Sequence, residues 1–319
     1  PNGEYIEVNY RYRGDAYRNW AYQTKAYKIK LKKKNLIDSK RVFNYIIPST
    51  ENTLSKYLPY YLGKLIDLPT PDARFVEMRI NGSKSSTLIE IENIDEGFLR
   101  MNEFMPVNLY KGEQIYSERD TEKGIDLFNN PSLWSKVAIF NQRKDDDVKD
   151  LGSLISLIRL SETSPSKLNE LKEILDIDSW AKFDALQTLL QSLHNDNFHN
   201  QRIISDIWKG KFLPVVYEVR PDVYNPTYTT APFNIDARDF YFENARYAVN
   251  NLRNFNTNKL FKSLHRSGEF LLLKYQYLYD YLNNNLLTEG VRHLEEIKKQ
   301  LENSWPRDIN KQQISLTNR

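Results

Sequence analysis

The hydrophobic pattern of this 319-residue chain changes period once, and that change bounds the folds open to it. Up to about residue 100, apolar and polar residues mostly alternate, which is the two-residue period of strands. Ile6, Val8, Tyr10 and Tyr12 oppose Tyr5, Glu7, Asn9 and Arg11, and Arg13-Gly14-Asp15 then breaks the run as a turn. In KAYKIKLKKK, Tyr27, Ile29 and Leu31 share one face while Lys28, Lys30 and Lys32 share the other. A helical stripe of Leu54, Tyr57, Leu58, Tyr61, Leu62 and Leu65 follows a capping Ser49 or Thr50, although Pro59 lies inside it. ARFVEMRINGSKSSTLIEIENI contains two β-rich runs joined at Asn81-Gly82, a hairpin signal, and DEGFLRMNE reads as a short helix.

Residues 102–147 are irregular, and after Leu151 the period becomes helical. DIDSWAKFDALQTLLQSLH has a cap at Asp176 or Asp178, with Phe183, Leu186, Leu190 and Leu193 as its buried stripe. Two short strands, near 202–208 and 212–217, join at Lys209-Gly210, and residues 237–304 are helical again. The pattern predicts an α+β chain with a β-rich part over 1–101 and a mainly helical part over 102–319. The boundary is expected near Met101 to Met105.

Composition narrows the function classes. A formal net charge of +3 argues against a dedicated nucleic-acid binder. The lack of Cys excludes disulfides, zinc–thiolate sites and thiol catalysis. No apolar run approaches the ~18 residues that span a bilayer. The chain opens at Pro1 without Met, as expected of a processed polypeptide.

The chemistry-bearing stretch is LHNDNFHNQRIISDIWKGKFLPVVYEV, from Leu193 to Val219. It holds two of the four histidines, and it places Asp196 and Asn200 between a helical pattern and an apolar strand. Helix, polar loop, strand, tight turn, strand and acidic residue is an order that builds a phosphoryl-transfer site. A loop Asp accepts a hydroxyl proton, while an Asn and a later carboxylate hold Mg²⁺ on the nucleotide phosphates. Asp196, Asn200 and Glu218 fit those roles, and His194-Asn195-Asp196 echoes the kinase His-Arg-Asp triplet. The competing reading is a plain loop, because Asn and Asp side chains bond nearby backbone. Zinc at His194 and His199 is a poorer fit, because their spacing does not stack them on one helix face. A strand Lys with a carboxylate partner completes a phosphate site, and Glu90 or Glu92 offers that carboxylate. Both could equally be surface charges.

In order along the chain, YRYRG, TKAYKIKLKK, VEMRINGSKSSTLIEIENIDEGFL and DIDSWAKFDALQTLLQSLHNDNFHNQRIISDIWKGKFLPVVYEV resemble the CotH family of spore-coat kinase-like proteins. The resemblance implies an atypical protein-kinase-like fold, with a β-rich N-lobe and a mainly helical C-lobe. It implies transfer of the γ-phosphate of ATP, with Mg²⁺ or Mn²⁺, to a protein hydroxyl, commonly Ser. The setting it implies is secreted, cell-surface or spore-associated. Asp196 matches the catalytic-loop Asp and Asn200 the metal-holding Asn. Lys30, or Lys28 in the same strand, matches the nucleotide Lys, and Glu92 the Glu that positions it. Arg13 either binds phosphate or braces the turn.

Two departures stand out. The family strand often ends Pro-Trp-Asp-apolar-Asp, where this chain has Pro214-Val215-Val216-Tyr217-Glu218. Val216 cannot ligate a metal, Glu218 is one methylene longer than Asp, and Asp222 is a substitute ligand. SSTLIEI also lacks the Gly and aromatic residue expected in the hairpin strand. The rival expectations are a pseudokinase-like scaffold in a coat, envelope or surface assembly, which 21 Tyr would suit, and AMP transfer on the same fold.

Overall fold

The computed structural model describes residues 5–14, 19–20, 25–32, 34–47, 53–82, 86–113, 126–138, 148–190, 192, 195, 197–198, 200–219 and 258–304. Two antiparallel sheets and eight α-helices make an α+β chain among these residues.

The first sheet has the order β1-β2-β3-β5-β4, from β1 (Val8–Tyr12), β2 (Tyr27–Leu31), β3 (Val42–Ile46), β4 (Ala73–Met78) and β5 (Ser86–Glu92). Its register places Arg11 opposite Lys28, Lys28 opposite Asn44 and Asn44 opposite Ile91, so these four share one face. Tyr27, Tyr45 and Glu90 share the other face, as do Ile29, Phe43 and Glu92. The β4–β5 connection carries Asn81 at φ 51° and Gly82 at φ 71°, the left-handed conformations for which Asn-Gly is suited.

Helix α1 (Thr53–Leu65) covers the face that holds Ile46, Ile89 and Ile91, and adds Tyr60 to that cluster. It runs uninterrupted through Pro59, and the buried Leu58, Tyr60 and Leu62 anchor it on both sides of the missing N–H. Helix α2 (Glu96–Met101) starts where the Asp95 carboxylate accepts the Gly97 N–H at 2.8 Å.

The second sheet has the order β7-β6-β8-β9, from β6 (Asn108–Gly112), β7 (Trp134–Lys136), β8 (Gln201–Asp206) and β9 (Lys211–Pro214). Both strands expected around the Lys209-Gly210 turn are shorter than their sequence pattern. β8 stops at Asp206, whose carboxylate turns back to accept the N–H groups of Trp208 (3.0 Å) and Lys209 (3.2 Å). β9 stops at Pro214, and the Val216 N–H leaves the sheet to donate to Pro69 O at 2.9 Å.

The helices packed with this sheet are α3 (Lys149–Ser161), α4 (Pro165–Ile174), α5 (Ile177–Leu189), α6 (Lys259–Leu264), α7 (Gly268–Asn283) and α8 (Leu286–Ser304). Asp176 caps α5 by accepting the Ser179 N–H at 3.0 Å. Of its expected stripe, Phe183, Leu186 and Leu190 are buried, and Leu193 lies outside the described residues. Fully buried Asp184 meets His265 Nε2 at 2.6 Å and Lys274 Nζ at 3.0 Å, tying α5 to α6 and α7. Burial would raise the Asp184 carboxyl, but Lys274 and His265 outweigh it and hold it below the usual range. The last helix returns to α1, where the His293 ring stacks on Tyr61 at 3.9 Å.

One core therefore runs from α1 through the second sheet into the helices, and Val216 is a buried member of it. A Cβ on Gly63 would lie 2.6 Å from Thr70 Oγ1 and 3.0 Å from Val216 Cγ2. Gly63→Ala is expected to cost about 1–3 kcal/mol through overpacking. Val216→Ala makes room at that point, so the double variant should be less destabilised than the sum of the two single variants. Chemical denaturation of the four proteins in a double-mutant cycle reads that coupling, and strict additivity would show that the two positions do not share the space.

Candidate functional site

The polar loop between α5 and β8 is organised by its asparagines. Asn195 is buried, and its Nδ2 donates to Asn200 O at 2.9 Å and to Tyr217 O at 3.0 Å. Asn197 O accepts the Leu127 N–H at 2.8 Å, and its Oδ1 accepts the Lys259 N–H at 2.8 Å. Asn258 continues the set by donating to Asn195 O at 3.3 Å. Asn200 sits at φ 62°, a conformation Asn tolerates better than most residues. These amides satisfy a buried loop backbone, which explains why so many Asn gather there. Asp196, His194 and His199, which alternate with them, lie outside the described residues, as does Asp222.

Tyr217 connects this loop to the first sheet. Arg13, just past β1, donates from Nη2 to the Tyr217 hydroxyl at 3.2 Å. The buried Arg202 of β8 lies over the Tyr217 ring at 4.3 Å. Arg202 also pairs with Glu113 at 2.9 Å, and Glu113 pairs with Lys111 of β6 at 2.8 Å. Burial would raise the Glu113 carboxyl, but Arg202 and Lys111 outweigh it and bring it down to about 2. Burial likewise opposes the charge on Arg13, but Tyr217, Glu218, Tyr60 and Glu113 outweigh it and raise Arg13 above its ordinary value. From α1, the Tyr60 hydroxyl accepts the Glu218 N–H at 3.5 Å, so the first sheet, α1 and the strand after β9 converge here.

Of the two strand lysines, only Lys28 faces this convergence with cationic neighbours. Lys28 is half-buried, donates to Asn93 Oδ1 at 3.0 Å and forms no ion pair among the described residues. Burial, helped by Arg11, Arg13 and Lys111, lowers it from 10.5 to about 8, with Asp95 opposing. Lys30 is exposed and lies opposite Asn9 and Val42. Of the two, it is Lys28, the alternative to the first choice Lys30, that the structure places among these cations.

Glu92 does not meet either lysine. Its position opposite Phe43 puts it on the other face of the sheet. There it accepts the Asp72 N–H at 3.1 Å, burial raises its carboxyl, and Lys40 and Lys64 are the cations that act on it. Glu90 shares that face and pairs with Arg74 at 2.9 Å. The expected Lys–Glu pair is thus absent among the described residues because of strand parity.

The acidic positions that the family uses for a metal fall on the segment after Pro214. Val216 stands at the first acidic position of the family pattern, is fully buried and faces Gly63. Glu218 lies at φ 51° beside Arg13, and Asn200 has its carbonyl engaged by Asn195. No group of three or more His, Cys, Asp or Glu among the described residues could hold a metal.

A profile of the family described as CotH kinase protein matches residues 10–318, and the chain belongs to that family. No curated protein matches the chain.

Asn195→Ala would leave the Asn200 and Tyr217 carbonyls without their amide donor. The expected loss is about 1–3 kcal/mol of stability per buried group left unsatisfied, read by denaturant unfolding. Glu92→Ala should leave nucleotide affinity within twofold of the parent, because its partners lie on the opposite sheet face. A large loss of affinity in a folded Glu92→Ala protein would restore it to the site.

Proposed function

We propose that the chain is an ATP-dependent phosphotransferase of the CotH type, acting on a protein hydroxyl with the two-lobed arrangement of a kinase. The first sheet with α1 takes the place of the N-lobe, and the second sheet with the remaining helices takes that of the C-lobe. The observation that carries the reading is the meeting of Arg11, Arg13 and Lys111 around the half-buried Lys28. Like charges directly opposite across strands are destabilising, and Arg11 and Lys28 are directly opposite. A triphosphate supplies the missing negative charge.

Asp196, in the loop held by Asn195 and Asn197, takes the acceptor's proton. The acceptor oxygen bonds to the γ-phosphorus as the bond between that phosphorus and the bridging oxygen of the β-phosphate breaks, and ADP leaves. Arg13 and Lys28 hold the phosphates in line, and Arg13 ties that face to Tyr217 and hence to the loop. Family membership supports a spore- or surface-associated setting. No helix among the described residues is long and apolar enough to cross a membrane. The scaffold reading has one observation in its favour, the burial of Val216 where the family carries an acid.

Incubation with γ- or α-labelled ATP separates the readings, with both Mg²⁺ and Mn²⁺ supplied. Protein-bound γ-label supports phosphotransfer, α-label means AMP transfer, and neither label leaves the scaffold. Asp196→Asn is expected to lower γ-transfer by about 10²–10⁴-fold while sparing nucleotide affinity.

The Lys28 charge predicts a pH profile with two opposite signs. Lys28 is charged below about 8 and neutral above it, so nucleotide affinity falls as pH rises through that value. Its folded pKa lies below the unfolded one, so its contribution to stability rises from about pH 8 to 10.5 and is lost as pH falls back. Lys28→Met should abolish that step in affinity and bind ATP more weakly at pH 7. Calorimetric titration at pH 7 and pH 9 measures both, and an unchanged profile in Lys28→Met removes Lys28 from the site.

A further inference from the structure

We infer that this cleft holds its triphosphate through side-chain cations, so that nucleotide affinity requires no divalent metal. The inference rests on the phosphotransfer reading and concerns binding alone. Two separate features of the chain carry it.

The first is the charge of the cleft. Arg11 and Lys28 face each other across β1 and β2, and Arg13 and Lys111 act on the same ammonium. A nucleoside triphosphate without metal carries more negative charge than its magnesium complex, by the charge of the cation it lacks. Glu113, Glu218 and Asp95 offset part of that charge, and the cations Arg11, Arg13, Lys28, Lys111 and Arg202 outnumber them, a surplus that favours the metal-free form. A site that depends on Mg²⁺ needs one or two carboxylates facing the phosphates in addition.

The second is the fate of the two acidic positions after Pro214. Val216 is fully buried, and its methyl groups face Gly63 of α1. A carboxylate there would be driven into the core rather than the cleft. Glu218 keeps its charge but has Arg13 within electrostatic reach, and a fixed guanidinium competes with a metal for that carboxylate. The segment that would carry the metal has thus lost one ligand to packing and placed the other beside an arginine.

The test is calorimetric titration of ATP into the whole chain at pH 7, with EDTA or with excess Mg²⁺, and of Mg²⁺ alone. ATP should bind in EDTA at least as tightly as with Mg²⁺. Lys28→Met and Lys111→Ala should each weaken binding in EDTA about tenfold, as loss of a charge-assisted contact does. Glu218→Gln removes a negative charge and should tighten ATP binding in EDTA. Melting curves for each variant establish that it is folded. Binding that appears only with Mg²⁺, or a folded Glu218→Gln that binds ATP more weakly, overturns the inference and leaves the phosphotransfer reading standing. No nucleotide binding under either condition overturns both.

Discussion

Residues 215–219 are the constraint on which the rest of the structure depends. The chain leaves the second sheet at Pro214, and its backbone groups must then find partners outside a regular ladder. They find them in four places. Val215 N–H donates to Arg202 O at 3.1 Å, and Val216 N–H to Pro69 O at 2.9 Å. Tyr217 O accepts Asn195, and Glu218 N–H reaches Tyr60 of α1. Because each partner belongs to a different element, this segment fixes α1, the polar loop and the second sheet relative to one another. Arg13 adds the end of the first strand through the Tyr217 hydroxyl.

That crossing explains the distribution of polar burial. A short irregular segment inside a core leaves carbonyls and amides that side chains must serve, and each net bond is worth only about 1 kcal/mol while each unmade one costs more. The buried Asn195, Asn197 and Asn258 meet that demand in and beside the loop between α5 and β8. The bland and functional readings of the Asn-rich stretch are therefore not rivals. The amides build the loop, and the role proposed for Asp196 adds to that structural reading without replacing it.

The sequence makes the strands legible because their alternation is clean, and it separates Tyr27, Ile29 and Leu31 from Lys28 and Lys30. It cannot choose between those two lysines, because both share a face and differ only in neighbours such as Arg13 and Lys111, which arrive from elsewhere in the chain. Glu92 fails for a related reason. Alternation fixes which residues of β5 share a face, but only the register with β3 decides which face meets Lys28. Arg202 and Glu113 drew no attention, although an Arg before an apolar run is a readable signal of a buried ion pair. Tyr217 was read only as an occupant of an apolar family position, and its two arginine partners could not be seen in one dimension.

Family membership and site chemistry are separable in this chain, and the separation has a structural basis. The cations around Lys28, itself in β2, come from β1 and β6 and from Arg13 just past β1. The positions that would ligate a metal come instead from the segment after β9 and from the loop it holds. Since different elements carry the two functions, one can change while the other persists. Replacement of an acid by Val216 leaves Val216 N–H on Pro69 O and the packing against Gly63 in place, so the fold tolerates it. What it alters is the balance of charge in that segment, which loses an acid beside Arg13 and Arg202. A family match over nearly the whole chain therefore fixes the scaffold, while the chemistry rests on the side chains that the scaffold carries.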